Sequence, residues 1–264
     1  MPSPPISRAR ANVLGVGVDA IDMQTAVSLI DSAVASCHKG YVCITGVHGI
    51  MEAQRNEHLK TILNNSYLTT PDGMPTVWVG KLQEFRHMDR VYGPDLMLQV
   101  CRLSVSKAYT HFLYGSKPGV AEQLKSVLTR RFPGIRILGA HCPPFRPLNN
   151  AEERDLIERV GDLKPDLFWV GLSTPKQEWF MAEFIERLDT KMMLGVGAAF
   201  DIHAGLLKDS PAWVKRAGLQ WLHRLCQEPK RLWKRYLVNN PEFMLRASLQ
   251  LTRIRKYTIP EGAG

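Results

Sequence analysis

The chain has 264 residues, of which 45% are apolar and 22% are charged, so it can bury a large core and is not disordered throughout. Its five cysteines include no Cys-x-x-Cys unit, which favours reduced thiols in a cytosol over a disulfide framework. The formal net charge is +9, and residues 206–264 hold twelve Lys and Arg against four Asp and Glu. Such a basic block usually meets phosphate, whether in nucleic acid, anionic lipid or a pyrophosphate substrate.

The first twelve residues are predicted to form a loose tail. Met1–Pro5 has no apolar core of the kind that a signal peptide needs. The longest apolar stretch, around Met192–Phe200, is far shorter than the roughly 20 residues of a spanning helix. We therefore expect a protein that does not cross a membrane, although it can still lie on one.

Strands and helices alternate from residue 13 onward. Strands are predicted at 41–47, 67–70, 111–114, 135–138, 166–171 and 191–196. Helices are predicted at 48–64, 75–82, 94–103, 118–132, 150–160 and 175–188. Strands separated by helices pair in parallel through right-handed crossovers. The pattern predicts an α/β domain over residues 13–205 with a doubly wound, mostly parallel, Rossmann-like sheet.

The pattern changes in residues 206–264, where no further strand is predicted. Three helices are expected at 211–227, 230–239 and 241–257, broken at Pro229 and Pro241. This basic helical appendage also contains Trp213, Trp221, Trp233 and Tyr236. Basic helices with aromatic residues suit a membrane surface. A helical subdomain with a solvated basic face explains the same pattern, and both interpretations can hold together.

Polar or glycine-rich loops follow the predicted strands. In a doubly wound sheet, ligands bind beyond the carboxyl ends of the strands. The sequence therefore indicates a site for a ligand with phosphates, built from loops at one edge of the sheet. These loops are Thr45–His48, Thr70–Gly73, Gly115–Gly119, Gly171–Glu178 and Gly195–Gly197.

Asp72 is the sharpest catalytic candidate. It follows a strand and precedes Gly73, so its carboxylate can stand at the sheet edge and take a proton from a sugar hydroxyl. An Asp that only closes a turn or caps the next helix fits the same spacing equally well. His48 and His203 also follow strand ends and can contact a ligand.

Two further segments suit phosphate or a nucleotide. Thr174–Glu178 opens a helix whose first N–H groups, with Lys176, can hold a phosphate, although an ordinary capped helix start fits too. Gly195–Phe200 nearly matches the dinucleotide fingerprint, but Phe200 replaces its third small residue and no helix clearly follows. The chain has no Asp-x-Asp, so we expect arginines, lysines and helix ends to neutralise a diphosphate without a metal.

Taken together, several segments make the chain resemble the WecG/TagA/CpsF family of bacterial glycosyltransferases. The resemblance runs from about Ile44 to Tyr236, and the shared order and spacing of the segments make it specific. The segments are Thr45 with the following helix, Pro71–Gly73, Asp89–Leu96, Phe112–Gly115, Gly171–Glu178, Gly195–Asp201, Gly218–Leu225 and Glu228–Pro229.

The resemblance implies an inverting, metal-independent transferase of cell-surface polysaccharide synthesis. It would move N-acetylmannosamine or a related sugar from a UDP-sugar to an undecaprenyl-diphosphate-linked sugar, with no cofactor. Asp72 matches the general base, Arg90 a residue near the diphosphate, and residues 206–264 a membrane-contacting segment. Arg224 and Arg231 match arginines that close over the site. The expected substrate-binding residues are Thr45, His48, Arg90, Gly171, Lys176, Gln177, Glu178, Gly197, Asp201, Arg224 and Arg231.

Three departures from the family pattern leave the donor sugar open. Val47 and His48 stand where an Asn is usual, so a polar contact is lost or His48 takes it over. Gln220 replaces a Glu before Trp221, and His141–Phe145 replaces a glycine next to an aromatic residue.

We expect a cytoplasmic protein, peripheral on the inner face of the plasma membrane. Its expected partners are a UDP-sugar, a lipid-diphosphate-linked acceptor and an anionic membrane surface, with no nucleic acid; a homo-oligomer stays open. One alternative is an NAD-dependent oxidoreductase or another nucleotide-cofactor enzyme. A second is a nucleic-acid-binding module, which the near-balanced charge of residues 1–205 disfavours.

Overall fold

The computed structural model describes residues 8–260. Residues 1–7 of the predicted tail lie outside the described residues. The prediction of a loose tail is wrong for residues 10–12, because strand β1 (Arg10–Val13) pairs antiparallel with β2 (Val16–Asp19). The two-residue turn between them has positive φ at Leu14 and Gly15, which matches the twist of a tight hairpin.

The main sheet has six strands and confirms the predicted doubly wound α/β fold. Their order in the sheet is β4-β3-β8-β7-β5-β6, and the sheet is parallel. In the registered pairs, Phe112 lies opposite Phe168, and Val170 lies opposite Gly195. The strands are β3 (Gly40–Thr45), β4 (Leu68–Pro71), β5 (Thr110–Gly115), β6 (Arg136–His141), β7 (Leu167–Gly171) and β8 (Met192–Gly195).

Helices connect these strands and make up the C-terminal part of the chain. The first six are α1 (Met23–Ala35), α2 (Val47–Arg55), α3 (Glu57–Asn64), α4 (Met74–Leu82), α5 (Gly93–Lys107) and α6 (Val120–Arg131). The next six are α7 (Asn150–Leu163), α8 (Lys176–Phe184), α9 (Ala199–His203), α10 (Ala212–Arg216), α11 (Gln220–Gln227) and α12 (Pro229–Leu251).

Two predicted helices are each divided in two. The helix expected over 48–64 is interrupted at Asn56, whose extended backbone (φ −143°) ends α2 and whose side chain accepts from the Leu59 N–H to cap α3. Between α10 and α11, Gly218 has φ +72°. A left-handed glycine ends a helix readily because it has no Cβ to clash.

In two other places the structure has more helix than was predicted. α12 continues through Pro241, where a break was expected. A proline in a helix interior costs about 3 kcal/mol, and the burial of Leu232, Phe243 and Ala247 along α12 offsets this cost. The short helix α9 begins two residues after Gly197, where no helix was predicted.

The chain forms two compact units. The first contains the β1–β2 hairpin, β4, α2–α4 and α10–α12; the second contains α1 and α5–α9 with β5–β8. The compact units divide the chain differently from the predicted boundary at residue 205, which stays a prediction. The first unit is Met1–Met23, Cys43–Tyr92 and Asp209–Gly264, and the second is Gln24–Val42 and Gly93–Lys208.

Side-chain hydrogen bonds fix the end of α12 to the hairpin within the first unit. Gln250 Nε2 donates to the Asn12 carbonyl at 2.8 Å, and Gln250 Oε1 accepts from the Leu14 N–H at 3.0 Å. Asn12 Nδ2 donates to the Tyr257 carbonyl at 2.7 Å. The C-terminal helix is therefore an integral part of this unit. None of the helices within residues 8–260 combines the length and apolar character needed to cross a membrane.

Candidate active site

The position of Asp72 is fixed by its own backbone in the first unit. The residue follows the last residue of β4, and its N–H donates to the Thr45 carbonyl at 3.0 Å. Gly73 then has φ +109°, which only glycine adopts easily, and turns the chain into α4. The Asp72 side chain is 34% exposed. The side chain is therefore partly open to solvent beyond the end of β4.

Gly46 supports Asp72 from the neighbouring strand end. A Cβ atom at Gly46 would meet the Asp72 carbonyl oxygen more closely than real Cβ contacts allow. The φ of Gly46, −109°, is an ordinary value, so the close approach of the two backbones requires glycine at this position. Any larger residue must move Asp72 or the start of α2.

Arg90 is the closest cationic partner of Asp72. Its Nε lies 3.7 Å from Asp72 Oδ1, and its side chain is only 10% exposed. Arg90 Nη2 donates to Gln220 Oε1, and the guanidinium carbon lies 4.2 Å from the centre of the Tyr92 ring. Because Gln220 is neutral, it orients Arg90 without cancelling its charge. Arg90 Nε is buried and has no hydrogen-bond partner among residues 8–260.

Tyr92 anchors Arg90 through a second set of contacts. Its hydroxyl donates to Asp209 Oδ1 at 2.9 Å. Lys215 Nζ lies 2.5 Å from Asp209 Oδ2 and 4.6 Å from the centre of the Tyr92 ring. Burial and the nearby Asp209 carboxylate raise the pKa of Tyr92, so its phenol stays neutral. The ring thus lies against two cations, an arrangement that cation–π attraction stabilises.

Arg224 and Arg231 share the carboxylate of Glu228. Arg231 donates through Nε and Nη2 to the two oxygens of Glu228 at 2.8 and 2.5 Å. Arg224 Nη2 donates to Glu228 Oε2 at 3.3 Å. Burial alone would raise the pKa of Glu228, but Arg231 and Arg224 outweigh it and lower the pKa. Glu228 is therefore an ionised internal partner of both arginines.

Arg235 belongs to this cluster, although it is not among the residues expected to bind substrate. Its Nε is buried without a hydrogen-bond partner. Burial lowers the pKa of Arg235, and the charges of Arg224 and Arg231 lower it further. The sequence did carry a signal, because Arg235 is one helical turn after Arg231 and residues four apart share a helix face.

The environment of Asp72 raises the pKa of its carboxyl above the ordinary value. Burial is the main cause, and Arg90, Arg224 and Arg235 act in the opposite direction. A third of the side-chain surface is exposed, yet the protein surrounding the carboxyl is dense enough for burial to prevail. A carboxylate with a raised pKa is a stronger base than an ordinary aspartate.

Thr45 and His48 lie at the start of α2. Thr45 ends β3 and is buried, and its Oγ1 has no hydrogen-bond partner. His48 Nδ1 accepts from Asn239 Nδ2 of α12 at 3.1 Å, while Asn239 Oδ1 accepts from Arg55 at 2.9 Å. This nitrogen of His48 thus contacts α12, and the predicted contact of His48 with substrate stays a prediction.

The second unit contains a separate polar cluster at the start of α8. Gln177 and Glu178 are buried. Gln177 Nε2 donates to the Gly195 carbonyl at 3.2 Å and to Glu178 Oε1 at 3.1 Å. Thr174 Oγ1 also donates to Glu178 Oε1, at 2.9 Å. Gln177 Oε1 is buried without a partner, and a Cβ at Gly197 would lie 3.4 Å from it.

Gly171 and Asp201 structure the neighbouring loops of this unit. The Gly171 carbonyl accepts from the Ser116 N–H at 2.9 Å, and Asp201 Oδ1 accepts from Ser116 Oγ at 2.8 Å. A Cβ at Gly171 would collide with Phe200. Phe200 is fully buried at the position of the fingerprint's third small residue, and the helix that follows, α9, has only five residues, so the segment departs from the dinucleotide fingerprint.

Lys176 differs in its exposure from other residues of the second unit that are expected to bind substrate. It is exposed, and its Nζ lies 4.2 Å from the ring centre of Phe145.

The structure groups the predicted site residues within each unit. In the first unit it groups Asp72, Arg90, Arg224 and Arg231, and in the second it groups Gln177, Glu178 and Gly197. Among residues 8–260, no three His, Cys, Asp or Glu residues cluster in a way that would hold a metal ion.

The sequence profile of the glycosyl transferase WecG/TagA/CpsF family matches residues 11–257. The chain belongs to this family. The match confirms the resemblance predicted from the loop segments and covers the α/β part as well as α10–α12. Because the family consists of glycosyltransferases, the chain is an enzyme of this class, and the oxidoreductase and nucleic-acid-binding alternatives are set aside.

The chain is also similar to curated proteins from Bacillus and Staphylococcus species. Each is named N-acetylglucosaminyldiphosphoundecaprenol N-acetyl-beta-D-mannosaminyltransferase. The one from Bacillus spizizenii is 27% identical over 217 residues, covering 82% of both chains. The one from Bacillus subtilis strain 168 is 29% identical over 177 residues, covering 67% of this chain and 66% of the relative. One from Staphylococcus aureus strain MRSA252 is 24% identical over 250 residues, covering 94% and 96%.

Gln220 is one of the departures of the chain from the family pattern. Gln220, which stands where a Glu was expected, accepts from Arg90. A carboxylate there would compete with Asp72 for the Arg90 charge, whereas the amide does not. The chain thus keeps the Arg90 charge available to Asp72 and to an anionic ligand.

Proposed function

We propose that the chain transfers N-acetylmannosamine or a close analogue from a UDP-sugar to a polyprenyl-diphosphate-linked sugar, with inversion and without a metal. The observation that carries the proposal is Asp72, a partly exposed carboxylate with a raised pKa among arginines. The relatives' names specify a sugar on diphosphoundecaprenol as acceptor and N-acetylmannosamine as the transferred group. Family membership and this site support the same reaction.

In the proposed mechanism, Asp72 is the general base. Its carboxylate accepts the proton of the acceptor hydroxyl while that oxygen attacks the anomeric carbon. The bond from the anomeric carbon to the phosphate oxygen breaks, and UDP leaves with the electron pair from the opposite face. The proton ends on Asp72, and the raised pKa of this residue favours that transfer.

Arginines of the first unit are proposed to stabilise the charge that grows on the leaving diphosphate. Arg90 is held by neutral contacts with Gln220 and Tyr92, so its charge remains available. Arg224 and Arg231 are proposed to exchange Glu228 for phosphate oxygens, which accept the same guanidinium N–H groups that now donate to Glu228. Preorganised cations of this kind lower the barrier of group transfer.

Polar groups outside the arginine cluster are proposed to bind the sugars. The unpartnered Oε1 of Gln177 suits a sugar hydroxyl or amide N–H, and Glu178 orients Gln177 through its bond to Nε2. Thr45 Oγ1 is a second buried group without a partner. The glycines at 171 and 197, with His48, Lys176 and Asp201, stay proposed contributors to substrate binding.

The membrane is proposed as the place of reaction, on its cytoplasmic face, because the acceptor carries a lipid. Within the C-terminal helices, Trp213 is 64% and Trp233 is 54% exposed. Basic residues surround them in sequence, including Arg216, Lys230 and Lys234. Aromatic side chains beside basic ones favour binding to an anionic lipid surface.

The proposed reaction is tested by incubating the full chain with a UDP-sugar library and a short-chain prenyl-diphosphate-N-acetylglucosamine. Mass spectrometry should show one added N-acetylhexosamine with one donor, in the presence of a chelator, and NMR should show an inverted anomeric centre. The enzyme from Bacillus subtilis serves as the positive control. Absence of transfer from every UDP-sugar, while the control is active, would contradict the proposal.

A further inference from the structure

The arginines near Asp72 fall into two groups by their hydrogen bonds. Arg224 and Arg231 both donate to Glu228. Arg90 and Arg235 differ, because neither donates a hydrogen bond from its buried Nε within residues 8–260, and Arg90 Nε forms an ion pair with Asp72. Both also act electrostatically on the Asp72 carboxyl. Because Arg90 Nε already faces Asp72 Oδ1 at 3.7 Å, Arg235 Nε is the donor of this cluster that lacks a partner within the described residues.

The packing of α12 against α2 locates Arg235. Asn239 of α12 bonds to His48 in the first turn of α2, and Glu242, further along α12, pairs with Arg55 at the end of α2 at 2.6 Å. Near the other end, Gln54 of α2 donates to the Leu14 carbonyl and Gln250 of α12 accepts from the Leu14 N–H, so the two helices run in the same direction. Arg235 is one turn before Asn239 on the same helix face, which places it towards the beginning of α2 and Gly46.

The beginning of α2 adjoins Asp72. Gly46, the N-cap of α2, makes no side-chain cap, and its Cα lies against the Asp72 carbonyl. A guanidinium beside this helix start adds its charge to the positive end of the helix dipole. The unpartnered Arg235 Nε, the uncapped helix start and Arg90 thus provide donors for one anion next to Asp72.

A buried guanidinium N–H without an acceptor is costly, and buried polar groups in native proteins are nearly always paired. The planar donors of arginine match phosphate oxygens particularly well. We propose that Arg235 binds a phosphate group of a diphosphate ester beside Asp72, together with Arg90. This inference rests on the proposed function for the ligand, which is either the nucleotide diphosphate of the donor or the lipid diphosphate of the acceptor.

The test compares Arg235→Gln with Arg246→Gln in the full chain. Arg246 is in the same helix and pairs with Glu242 at 2.7 Å. It is not among the arginines that act on the Asp72 carboxyl, so its loss removes the same charge away from Asp72. Calorimetry measures binding of inorganic pyrophosphate, UDP and a short-chain prenyl diphosphate. Losing a charged hydrogen bond should weaken binding by roughly 10- to 100-fold in Arg235→Gln, with little change in Arg246→Gln.

The three ligands identify the source of the diphosphate. Weaker binding of pyrophosphate and UDP assigns Arg235 to the donor, and weaker binding of pyrophosphate and the prenyl diphosphate assigns it to the acceptor. Unchanged affinity for all three ligands overturns the inference. If Arg235→Gln does not fold, Arg235→Lys decides: it keeps the charge but loses the planar donors, so an affinity equal to wild type overturns the inference and a weaker one supports it.

Binding and transfer separate this inference from the proposed function. Pyrophosphate binding that depends on Arg235, without sugar transfer by the wild-type chain, contradicts the proposed function and leaves the phosphate site standing. Sugar transfer with no effect of Arg235→Gln on any diphosphate contradicts the phosphate site and leaves the proposed function standing.

Discussion

Arg90 Nε lies 3.7 Å from Oδ1 of Asp72, close enough for strong electrostatic attraction but too far for a direct hydrogen bond. Gln220 and Tyr92 hold the guanidinium at this position. The carboxylate is therefore biased by a positive charge while Arg90 makes no direct hydrogen bond to Oδ1. This balance suits a residue that must accept a proton beside an anionic leaving group.

The pH dependence of transfer should reflect this relationship. Burial raises the pKa of Asp72, so kcat/KM should fall on acidification at a pH above the ordinary aspartate value of about 3.9. Arg90 lowers that pKa, so Arg90→Gln should move the acid limb to higher pH. The measurement is the pH profile of kcat/KM for both proteins. An acid limb at the same pH in both would show that Arg90 does not act on the titrating group.

Replacing Gly46 should displace Asp72. The added methyl of Gly46→Ala would meet the Asp72 carbonyl, so kcat should fall at least tenfold, since small displacements in an active site can cost about 100-fold. Gly161→Ala in α7 is the matched control, because a Cβ there has no atom within 4 Å. It should keep full activity and unfold at an equal or slightly higher temperature. Equal activity of both variants would contradict the role of Gly46.

Removing the Glu228 carboxylate should strengthen diphosphate binding. Glu228 occupies donors of Arg224 and Arg231, and a phosphate must compete with it. Calorimetry with UDP should give tighter binding for Glu228→Gln than for wild type, with a steeper dependence on salt because two arginines gain uncompensated charge. Weaker binding would mean that Glu228 orients these arginines and does not compete with the ligand.

Exposed tryptophans should contribute to membrane binding. Trp213→Ser combined with Trp233→Ser removes two exposed aromatic side chains of the C-terminal helices, and cosedimentation with anionic vesicles should fall several-fold. Phe145→Ser is the control, since Phe145 is 97% exposed but belongs to the second unit. Equal losses in both proteins, or no loss in either, would remove the assigned role of the C-terminal helices.

Local sequence patterns were sufficient for the parallel sheet and for the place of Asp72 after a strand, while its role as a base stays a proposal. Alternating strands and helices specify a parallel sheet, and an Asp-Gly pair after a strand places a carboxylate at its edge. The departures have tertiary causes: Pro241 is tolerated because α12 packs along one face, and the close backbone approach at Gly46 joins residues far apart in sequence. A local sequence pattern reports neither the packing of a helix face nor a close approach between residues far apart in the chain.

Arg235 shows the same limit for the site. Its spacing from Arg231 puts both on one face of a helix, but many exposed helices have such pairs. Only the packing of α12 beside α2 and the unpartnered Nε distinguish Arg235 from the other basic residues of the segment. Arg224 and Arg231 were selected through the family resemblance, and their shared partner Glu228 became evident from the structure.

The unfolding temperature of Asp72→Asn checks that this variant stays folded, so that a loss of turnover can be assigned to the missing carboxylate. The folded-state pKa of Asp72 is raised, so ionisation is less favourable in the folded chain than in the unfolded chain. Above that pKa the charged carboxylate lowers the free energy of unfolding. The neutral Asn removes this cost, so the unfolding temperature at neutral pH should be equal to or higher than that of wild type.

The most direct measurement of the general-base assignment is the turnover of Asp72→Asn with the donor and acceptor that the wild-type chain uses. A general base typically contributes about 10²- to 10⁴-fold, so kcat should fall by that factor while UDP binding and folding are retained. Turnover within a few-fold of wild type, in a folded protein, would contradict the assignment of Asp72 as the base.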